Sequence, residues 1–384
     1  MAFVPKSDAI DPVAAVSDRR YRGTPPSVLH YVGYARDGGG VLAVVRTLAA
    51  AGNFRSVLGV SPGFQSSLPA AKLRQCVLPP LAGETISVGN VWRAAWLALA
   101  LRCRMRRRPL FVVHGHSRAG LLVVLWLRLL GASRVVATVH VLGRQRWFYR
   151  WASRLLGERL VWLGPAMKQH YGVGNSSWSG CLPDCVLLPV APTPRRPRAP
   201  GSPVIFGCVG ALVPVKRWDL VLQALARLPA AAAVSVIHVG SEDGSPESAT
   251  YAGALRRQAA ASGVATRIEW RGEVHDMAAF FAEIDCLLVA SRWEASSVAA
   301  LEALVAGVPV LASAESGTRD LIDASRGGWL FPDGSADALA ARMTALATGS
   351  ELAVWQPDRT ALPAFDARRV AGEYARLYQR LLSP

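Results

Sequence analysis

The chain has 384 residues, of which 51% are hydrophobic and 18% are charged, and its formal net charge is +16. This length is sufficient for two domains, and the apolar fraction excludes a chain that is mainly disordered. The positive charge favours anionic partners such as nucleotide diphosphates or acidic membrane surfaces. Nucleic acid is not predicted as a partner, because the sequence has no zinc-finger spacing and no aromatic platform for single strands.

The N-terminal residues 1–26 are predicted to be a loose extension, because they are rich in Ala, Asp, Pro and Ser and have no apolar core of a signal peptide. Apolar runs at residues 94–101 and 119–127 are shorter than the roughly 20 residues that span a bilayer. The six cysteines are scattered without metal-binding spacing. These features predict a cytoplasmic protein in a reducing compartment.

Strands and helices alternate over residues 27–191, which predicts a first domain with a parallel sheet. A strand at residues 27–33 leads into Gly38, Gly39 and Gly40 and then into a helix. Such a loop lets backbone N–H groups approach a phosphate, although the dinucleotide fingerprint is missing and an ordinary turn is the alternative. Further strands are predicted at residues 57–60, 109–116, 134–140, 160–163 and 185–190.

A basic helix is predicted at residues 91–108. It carries Trp92 and Trp96 and ends with five arginines between positions 102 and 108. Basic segments with aromatic side chains favour membrane interfaces, so peripheral contact with the inner face of a membrane is one interpretation. The alternative is a core helix whose cations complement the helix dipole.

Residues 115–120, GHSRAG, resemble the nucleophile elbow of α/β-hydrolases, with Ser117 between a strand and a helix. A hydrolase must also supply an acid and a later histidine. The last histidine, His275, is not surrounded by a strand–Asp–loop–His unit. A serine hydrolase with Ser117 as nucleophile is kept as an alternative function, although the sequence shows no such unit for the histidine.

A Pro- and Arg-rich linker is predicted at residues 192–203, before a second domain at residues 204–365 and a terminal helical segment at residues 366–384. Strands and helices alternate again in the second domain. Strands are predicted at residues 204–210, 234–240, 267–272, 284–290, 308–313 and 327–332, and helices at residues 218–228, 278–283, 336–347 and 368–382.

Two acids mark the most informative stretch of the second domain. A strand is followed by Glu294, then by Ser297, which can cap a helix that begins near Val298 and contains Glu302. Ligands of open α/β sheets bind at this edge, and a helix N-terminus attracts phosphate. The two carboxylates suit the hydroxyls of a sugar and a ribose, and solvated acids on an ordinary helix are the alternative.

The order Ser-x-x-Glu, seven residues, Glu-Ala and Gly-x-Pro-Val in residues 291–310 resembles the signature of retaining GT-B glycosyltransferases of family 4. The resemblance implies that Glu294 lies by the donor sugar and that Glu302 binds the nucleotide ribose. Residues 210–217 resemble the family segment Gly-Arg-Leu, three residues, Lys-Gly, and Lys216 matches its lysine, which binds the donor phosphates. Ala211 replaces the arginine of this segment, so a non-catalytic GT-B subunit is a further alternative.

Other segments extend the resemblance. His140 corresponds to a strand-end histidine near the transferred sugar, and Val274 to the backbone against the nucleotide base. Gly39 and Gly40 correspond to a loop that binds the donor diphosphate from the first domain, together with the helix start at Ser297 and Val298. The implied catalytic residues are Glu294, His140 and Lys216.

The resemblance also implies a fold and a reaction. The fold is GT-B, with two Rossmann-like, doubly wound parallel-sheet domains facing a cleft and a C-terminal helix that crosses back to the first domain. The reaction moves a sugar, with retention, from a nucleotide sugar to a glycan or lipid-linked acceptor in cell-envelope or exopolysaccharide synthesis. Neither a cofactor nor a metal is expected to be obligatory, because the sequence has no Asp-x-Asp motif.

Overall fold

The structure is a computed structural model and describes residues 25–33, 39–64, 73–79, 81, 86–108, 111–174, 177–189, 202–229 and 232–383. The chain divides into two compact units. The first ends at Leu187 and resumes at Pro363, and the second spans Leu188–Leu362. Most of the predicted N-terminal extension and linker, and also Gly38, lie outside the described residues.

The described part of the first unit contains one parallel sheet. Its strands are β1 Ser27–Tyr31, β2 Arg55–Val60, β3 Arg74–Val77, β4 Phe111–Gly115, β5 Val135–Thr138 and β6 Leu160–Val161. They lie in the order β3-β2-β1-β4-β5-β6. The intervening helices are α1 Gly40–Ala51, α2 Val88–Arg107, α3 Arg118–Leu129, α4 Arg146–Leu156 and α5 Pro165–Tyr171.

The second unit repeats this strand order in a second parallel sheet. Its strands are β7 Val204–Val209, β8 Val234–Val239, β9 Ile268–Trp270, β10 Cys286–Val289, β11 Val310–Ser313 and β12 Gly328–Phe331. The order β12-β11-β10-β7-β8-β9 is the doubly wound arrangement. The helices are α6 Trp218–Arg227, α7 Pro246–Ala261, α8 Met277–Glu283, α9 Val298–Val305, α10 Thr318–Ser325, α11 Ala336–Thr348 and α12 Glu351–Val354.

The C-terminal helix α13, Ala367–Leu382, belongs to the first unit and packs on α1. Tyr374 and Tyr378 are fully buried on its inner face. Their hydroxyls reach Thr138 Oγ1 at 3.0 Å and His114 Nδ1 at 2.7 Å. The GT-B fold and the return of the terminal helix to the first domain are therefore confirmed.

Local sequence chemistry explains where many helices begin. Five helices begin after a serine whose side-chain oxygen accepts a hydrogen bond from the main-chain N–H three residues later, which satisfies one otherwise unpaired donor. These serines are Ser87, Ser117, Ser245, Ser297 and Ser335. The strands of both sheets are largely buried on both faces, as parallel sheets require. In the described residues no helix is long and apolar enough to cross a membrane.

Some predicted elements differ from the structure. The strand predicted at residues 185–190 is wrong in its described part, because Val186 forms only one isolated bridge, to Asp366 beside α13. The edge strand β3 and the helices α4, α5, α7, α10 and α12 were not predicted. The four residues of β3 are mostly exposed, so they lack the apolar pattern that identifies a strand.

The glycines of the elbow-like motif allow α3 to approach β4 and β1. A Cβ atom on Gly120 would lie 2.7 Å from Gly115 Cα and 2.7 Å from the main-chain oxygen of Tyr31. A Cβ atom on Gly115 would lie 2.5 Å from the carbonyl carbon of Gly120. Backbone atoms cannot move aside as side chains can. The close packing of the helix on the sheet therefore explains why glycines occupy positions 115 and 120.

We expect Gly120→Ala to lower the free energy of unfolding by about 1–3 kcal/mol, the usual effect of overpacking. The matched control is Gly372→Ala in α13, where an added Cβ meets nothing within 4 Å and helix propensity favours alanine by up to about 1 kcal/mol. Denaturant unfolding measures both variants. Equal stability of Gly120→Ala and the wild type would contradict the packing explanation.

Candidate active site

The candidate site of the second unit lies at the carboxyl ends of β7 and β10, where the strand order reverses. Gly210 follows β7 directly with a φ of 142°. A Cβ atom on Gly210 would lie 3.2 Å from Lys216 Cε. Glycine at this position therefore leaves room for the lysine side chain beside the end of the strand.

Lys216 and Glu294 form an ion pair across this edge of the sheet. Lys216 Nζ lies 2.7 Å from Glu294 Oε2, and the side chains are only 24% and 18% exposed. This is the length of a charge-assisted hydrogen bond. The structure thus brings together the predicted phosphate-binding cation and the predicted sugar-binding acid, which are 78 residues apart in the sequence.

Backbone contacts hold the Glu294 loop on both sides. Arg292 donates its main-chain N–H to Val215 O at 2.8 Å, next to Lys216. Gly317 donates its N–H to Glu294 O at 2.8 Å, and a Cβ atom on Gly317 would lie only 1.9 Å from Ala295 O. These contacts fix the position of Glu294 before any ligand binds.

Helix α9 starts beside the ion pair. Ser297 caps the helix, and its side-chain oxygen accepts from Ala300 N at 3.2 Å. The remaining N–H groups of the first turn, which begins at Val298, have no partner within the helix and carry its positive dipole end. A small cavity lies here, lined by Val209, Lys216, Trp218, Leu287, Leu288, Val289, Ser291, Ser297 and Ala299.

Glu302 lies in the second turn of α9 and is half-buried. Burial raises the pKa of its carboxyl above the ordinary value, and no opposing contact is present among the described residues. Such a carboxylate is destabilising in the empty protein and can accept hydrogen bonds from ligand hydroxyls. This environment differs from that of an ordinary solvated acid.

The predicted contact of the nucleotide base, Val274, is half-buried just after β9, where Gly240 and Gly272 are joined by a 2.7 Å hydrogen bond. Arg217, next to Lys216 in the sequence, has a left-handed φ of 59° and its guanidinium lies 4.0 Å from Asp219. This cation is therefore paired locally.

In the first unit, Gly39 precedes α1 with a φ of 81°, and Gly40 is the first residue of that helix. His140 follows β5 by two residues. Its ring nitrogens lie 3.1 Å from His116 Nδ1 and 3.5 Å from Asp184 Oδ1, and its side chain is only 4% exposed. Because the residue as a whole is half-buried, its exposed surface belongs to the main chain.

Ser117 is the cap of α3, and its hydroxyl accepts from Gly120 N at 3.0 Å. None of the hydrogen bonds among the described residues joins this hydroxyl to a histidine. The neighbouring His116 directs its nitrogens to other histidines. The described residues thus explain the motif by capping and packing, without a catalytic triad.

A buried histidine cluster was not predicted from the sequence. His30, His114 and His116 place ligand atoms within 4.8 Å of one another, as a metal site would. All six ring nitrogens have hydrogen-bond partners, however, including Ser56, Thr138 and Tyr378. The His114 and His116 rings pack against each other, with centroids 3.8 Å apart and planes tilted by 35°.

Comparison with known proteins identifies a family for the second unit. Residues 203–348 match the family model described as "Glycosyl transferases group 1". This segment is a group 1 glycosyltransferase domain. The resemblance predicted from the sequence is confirmed. Six predicted site residues fall inside the matched segment: Lys216, Val274, Glu294, Ser297, Val298 and Glu302.

Curated relatives match over short segments. A putative colanic acid biosynthesis glycosyltransferase, WcaL of Salmonella typhimurium, is 36% identical over 75 residues, which cover 18% of each chain. The amylovoran biosynthesis glycosyltransferase AmsK of Erwinia amylovora is 45% identical over 56 residues, 15% of this chain and 14% of AmsK. The aligned segments therefore span less than a fifth of these relatives.

Solved structures match over almost the whole chain. HepE of Anabaena, in complex with UDP and glucose, has a TM-score of 0.69 at 17% identity, and the match covers 92% of this chain and 100% of HepE. Sucrose-phosphate synthase of Thermosynechococcus elongatus has a TM-score of 0.70 at 19% identity, over 93% and 99% of the two chains. At these identities the likeness establishes that the fold is shared.

We expect Glu302→Gln to raise the melting temperature at pH 7–8. A carboxyl with a raised pKa destabilises the folded state once it is ionised, so this cost appears as the pH rises and is absent below the unfolded-state pKa of about 4.3. The gain should therefore disappear near pH 4. The exposed Glu315→Gln is the control and should show no such gain, and a gain that is equal at both pH values would contradict the burial effect.

Proposed function

We propose that this group 1 glycosyltransferase moves a sugar from a nucleotide-sugar donor to a glycan or lipid-linked acceptor, with retention of anomeric configuration. The observation that carries the proposal is the ion pair between Lys216 and Glu294 beside the first turn of α9. Cleavage of a nucleotide sugar leaves a diphosphate with increased negative charge, and a fixed cation together with free N–H groups stabilises such charge.

The proposal gives each residue of the second unit a role. Lys216 and the N–H groups that begin at Val298 bind the diphosphate, with Ser297 fixing the start of the helix. Glu294 accepts hydrogen bonds from sugar hydroxyls, and Glu302 accepts them from the ribose. Val274 lies against the nucleotide base.

The first unit supplies further predicted contacts: Gly39 and Gly40 for the diphosphate and His140 for the transferred sugar. UDP sugars are the first donors to test, because HepE has been solved with UDP-glucose. The names of WcaL, AmsK and the lipopolysaccharide galactosyltransferase WaaB point to polysaccharide synthesis in bacteria. We therefore propose that the acceptor also belongs to polysaccharide synthesis and that the enzyme acts in the cytoplasm.

We expect UDP and UDP-glucose to raise the melting temperature of the wild type by mass action. Lys216→Ala should weaken UDP binding by about 10–100-fold, since a hydrogen bond to a charged group contributes about 1.5–3 kcal/mol. The control is Arg256→Ala, an exposed cation of the same unit. Unchanged UDP affinity in Lys216→Ala would remove the basis of the proposed donor site.

The variant Ser117→Ala distinguishes the transferase hypothesis from the hydrolase hypothesis. The variant loses the cap of α3, which costs about 1 kcal/mol, but should retain sugar transfer at a temperature where it is folded. Loss of all activity in a folded Ser117→Ala, together with no binding of nucleotide sugars by the wild type, would favour the hydrolase. Donor binding without turnover over a broad panel of acceptors would favour the non-catalytic subunit.

We further propose that α2 and α4 contact an anionic membrane surface that holds the acceptor. Both helices pack against α3. Residues 86–174 contain 15 Lys and Arg but one acid. Large apolar side chains on the two helices are nevertheless exposed: Val88, Trp92, Trp96, Leu99, Trp147 and Trp151. Exposed tryptophans surrounded by arginines suit the headgroup region of a bilayer.

We expect the enzyme to cosediment with vesicles that contain phosphatidylglycerol and not with pure phosphatidylcholine vesicles. Replacing Trp92 and Trp96 together by alanine should weaken this binding about tenfold or more, because each indole loses interfacial burial. Val354→Ser, at an exposed apolar position of the second unit, is the control. Equal binding of the double variant and the wild type would show that α2 is not the contact surface.

A further inference from the structure

Buried polar side chains of the first unit form a row of three hydrogen bonds that ends beside a carboxylate. Ser56 Oγ lies 3.4 Å from His30 Nε2, and His30 Nδ1 lies 2.9 Å from His116 Nε2. His116 Nδ1 then lies 3.1 Å from His140 Nε2. His140 Nδ1 faces Asp184 Oδ1 at 3.5 Å, an ion-pair distance without hydrogen-bond geometry. We call these five residues the imidazole row.

The acid at one end favours one direction for the hydrogen bonds of the row. The negative oxygen of Asp184 attracts the proton of His140 to the facing Nδ1 atom. His140 Nε2 is then an acceptor for His116 Nδ1–H, and His116 Nε2 accepts from His30 Nδ1–H. His30 Nε2 finally accepts from the Ser56 hydroxyl. One tautomer of each ring satisfies all three hydrogen bonds.

Burial keeps the rings of His30 and His116 free of additional protons. It lowers the pKa of His30 to about 3 and lowers the pKa of His116 well below its usual value. An extra proton would also turn an acceptor nitrogen into a donor and break one contact. His114 packs against the row and is held separately by Thr138 and Tyr378.

We infer that His116 and His30 are positioning residues for His140, which they hold through the imidazole row with the Nδ1 proton towards Asp184. The inference rests on the proposed contact of His140 with the transferred sugar. A ring that is held through Nε2 and faces Asp184 with Nδ1 also fixes the exposed main chain of His140 after β5. A small misplacement of a group at a reacting sugar reduces the rate strongly.

Two substitutions of His116 each remove one of its two hydrogen bonds in the row. The amide of His116→Asn overlies Nδ1 and keeps a donor for His140, but it loses the acceptor for His30. The amide of His116→Gln overlies Nε2 and keeps the acceptor for His30, but it leaves His140 Nε2 without its donor. The two variants are similar in volume and polarity, so each controls for the other.

We expect His116→Gln to lower kcat for sugar transfer about 10–100-fold, and His116→Asn to lower it no more than about threefold, with UDP affinity unchanged in both. Melting temperatures establish that both variants fold. Equal kcat values in two folded variants would overturn the inference, because a purely structural role does not distinguish the two amide positions.

The protonation state provides a test that is independent of turnover. The chain has seven histidines, so selective ¹⁵N labelling resolves their ring nitrogens by NMR. We expect Nδ1–H tautomers for His30 and His116 at pH 7, and a proton on Nδ1 of His140. An Nε2–H tautomer for His116, an unprotonated Nδ1 in His140, or a stoichiometric metal found by elemental analysis would overturn the inference. If the wild type neither binds nor uses nucleotide sugars, the proposed function fails while this readout still tests the row.

Discussion

The ion pair between Lys216 and Glu294 is the interaction on which the proposed donor site depends. It joins the segments that follow β7 and β10, and main-chain hydrogen bonds from Arg292 and Gly317 hold the acid in place. In the empty protein the carboxylate neutralises the lysine. In the proposed site, a bound diphosphate would compete for the same ammonium group, and Glu294 would then be free to accept hydrogen bonds from a sugar. On this account the pair keeps both side chains near the positions that the proposed roles require.

The two units share a strand order but differ in chemistry. Residues 1–187 contain 24 Lys and Arg against 7 acids, whereas residues 188–362 contain 15 against 18. The whole excess of positive charge is thus outside the second unit. The proposed diphosphate site in this unit requires only one local cation, Lys216, because the first turn of α9 supplies additional positive potential. The distributed charge of the first unit suits a surface, such as an anionic bilayer, better than a single small anion.

The sequence predicted much of the fold because buried parallel strands are nearly continuous apolar runs and because serine caps mark where helices begin. Residues 284–290 and Ser297 identified β10 and the start of α9 in this way. The exposed edge strand β3 carries no such signal. The strand predicted at residues 185–190 has apolar residues too, but Val186 forms its bridge to Asp366 beside α13, 180 residues further along the chain.

The candidate site, like the fold, was only partly predictable from the sequence. The spacing of Glu294 and Glu302 indicated two acids near a helix start, whereas the contact of Lys216 with Glu294 depends on how two loops meet. The imidazole row was not predictable, because His30 and His116 are 86 residues apart and become neighbours only through the pairing of β1 with β4. A histidine in an apolar strand gives no sign of its tertiary partner.

The measurement that tests the central claim most directly is the affinity of Glu294→Gln for UDP, beside its rate of transfer from UDP-glucose. If the acid competes with the diphosphate for Lys216 and holds the sugar, the variant should bind UDP at least as tightly as the wild type. Its transfer rate should fall about 100-fold or more, by roughly 3 kcal/mol of transition-state stabilisation. Weaker UDP binding in a folded Glu294→Gln, or an unchanged transfer rate, would contradict the account.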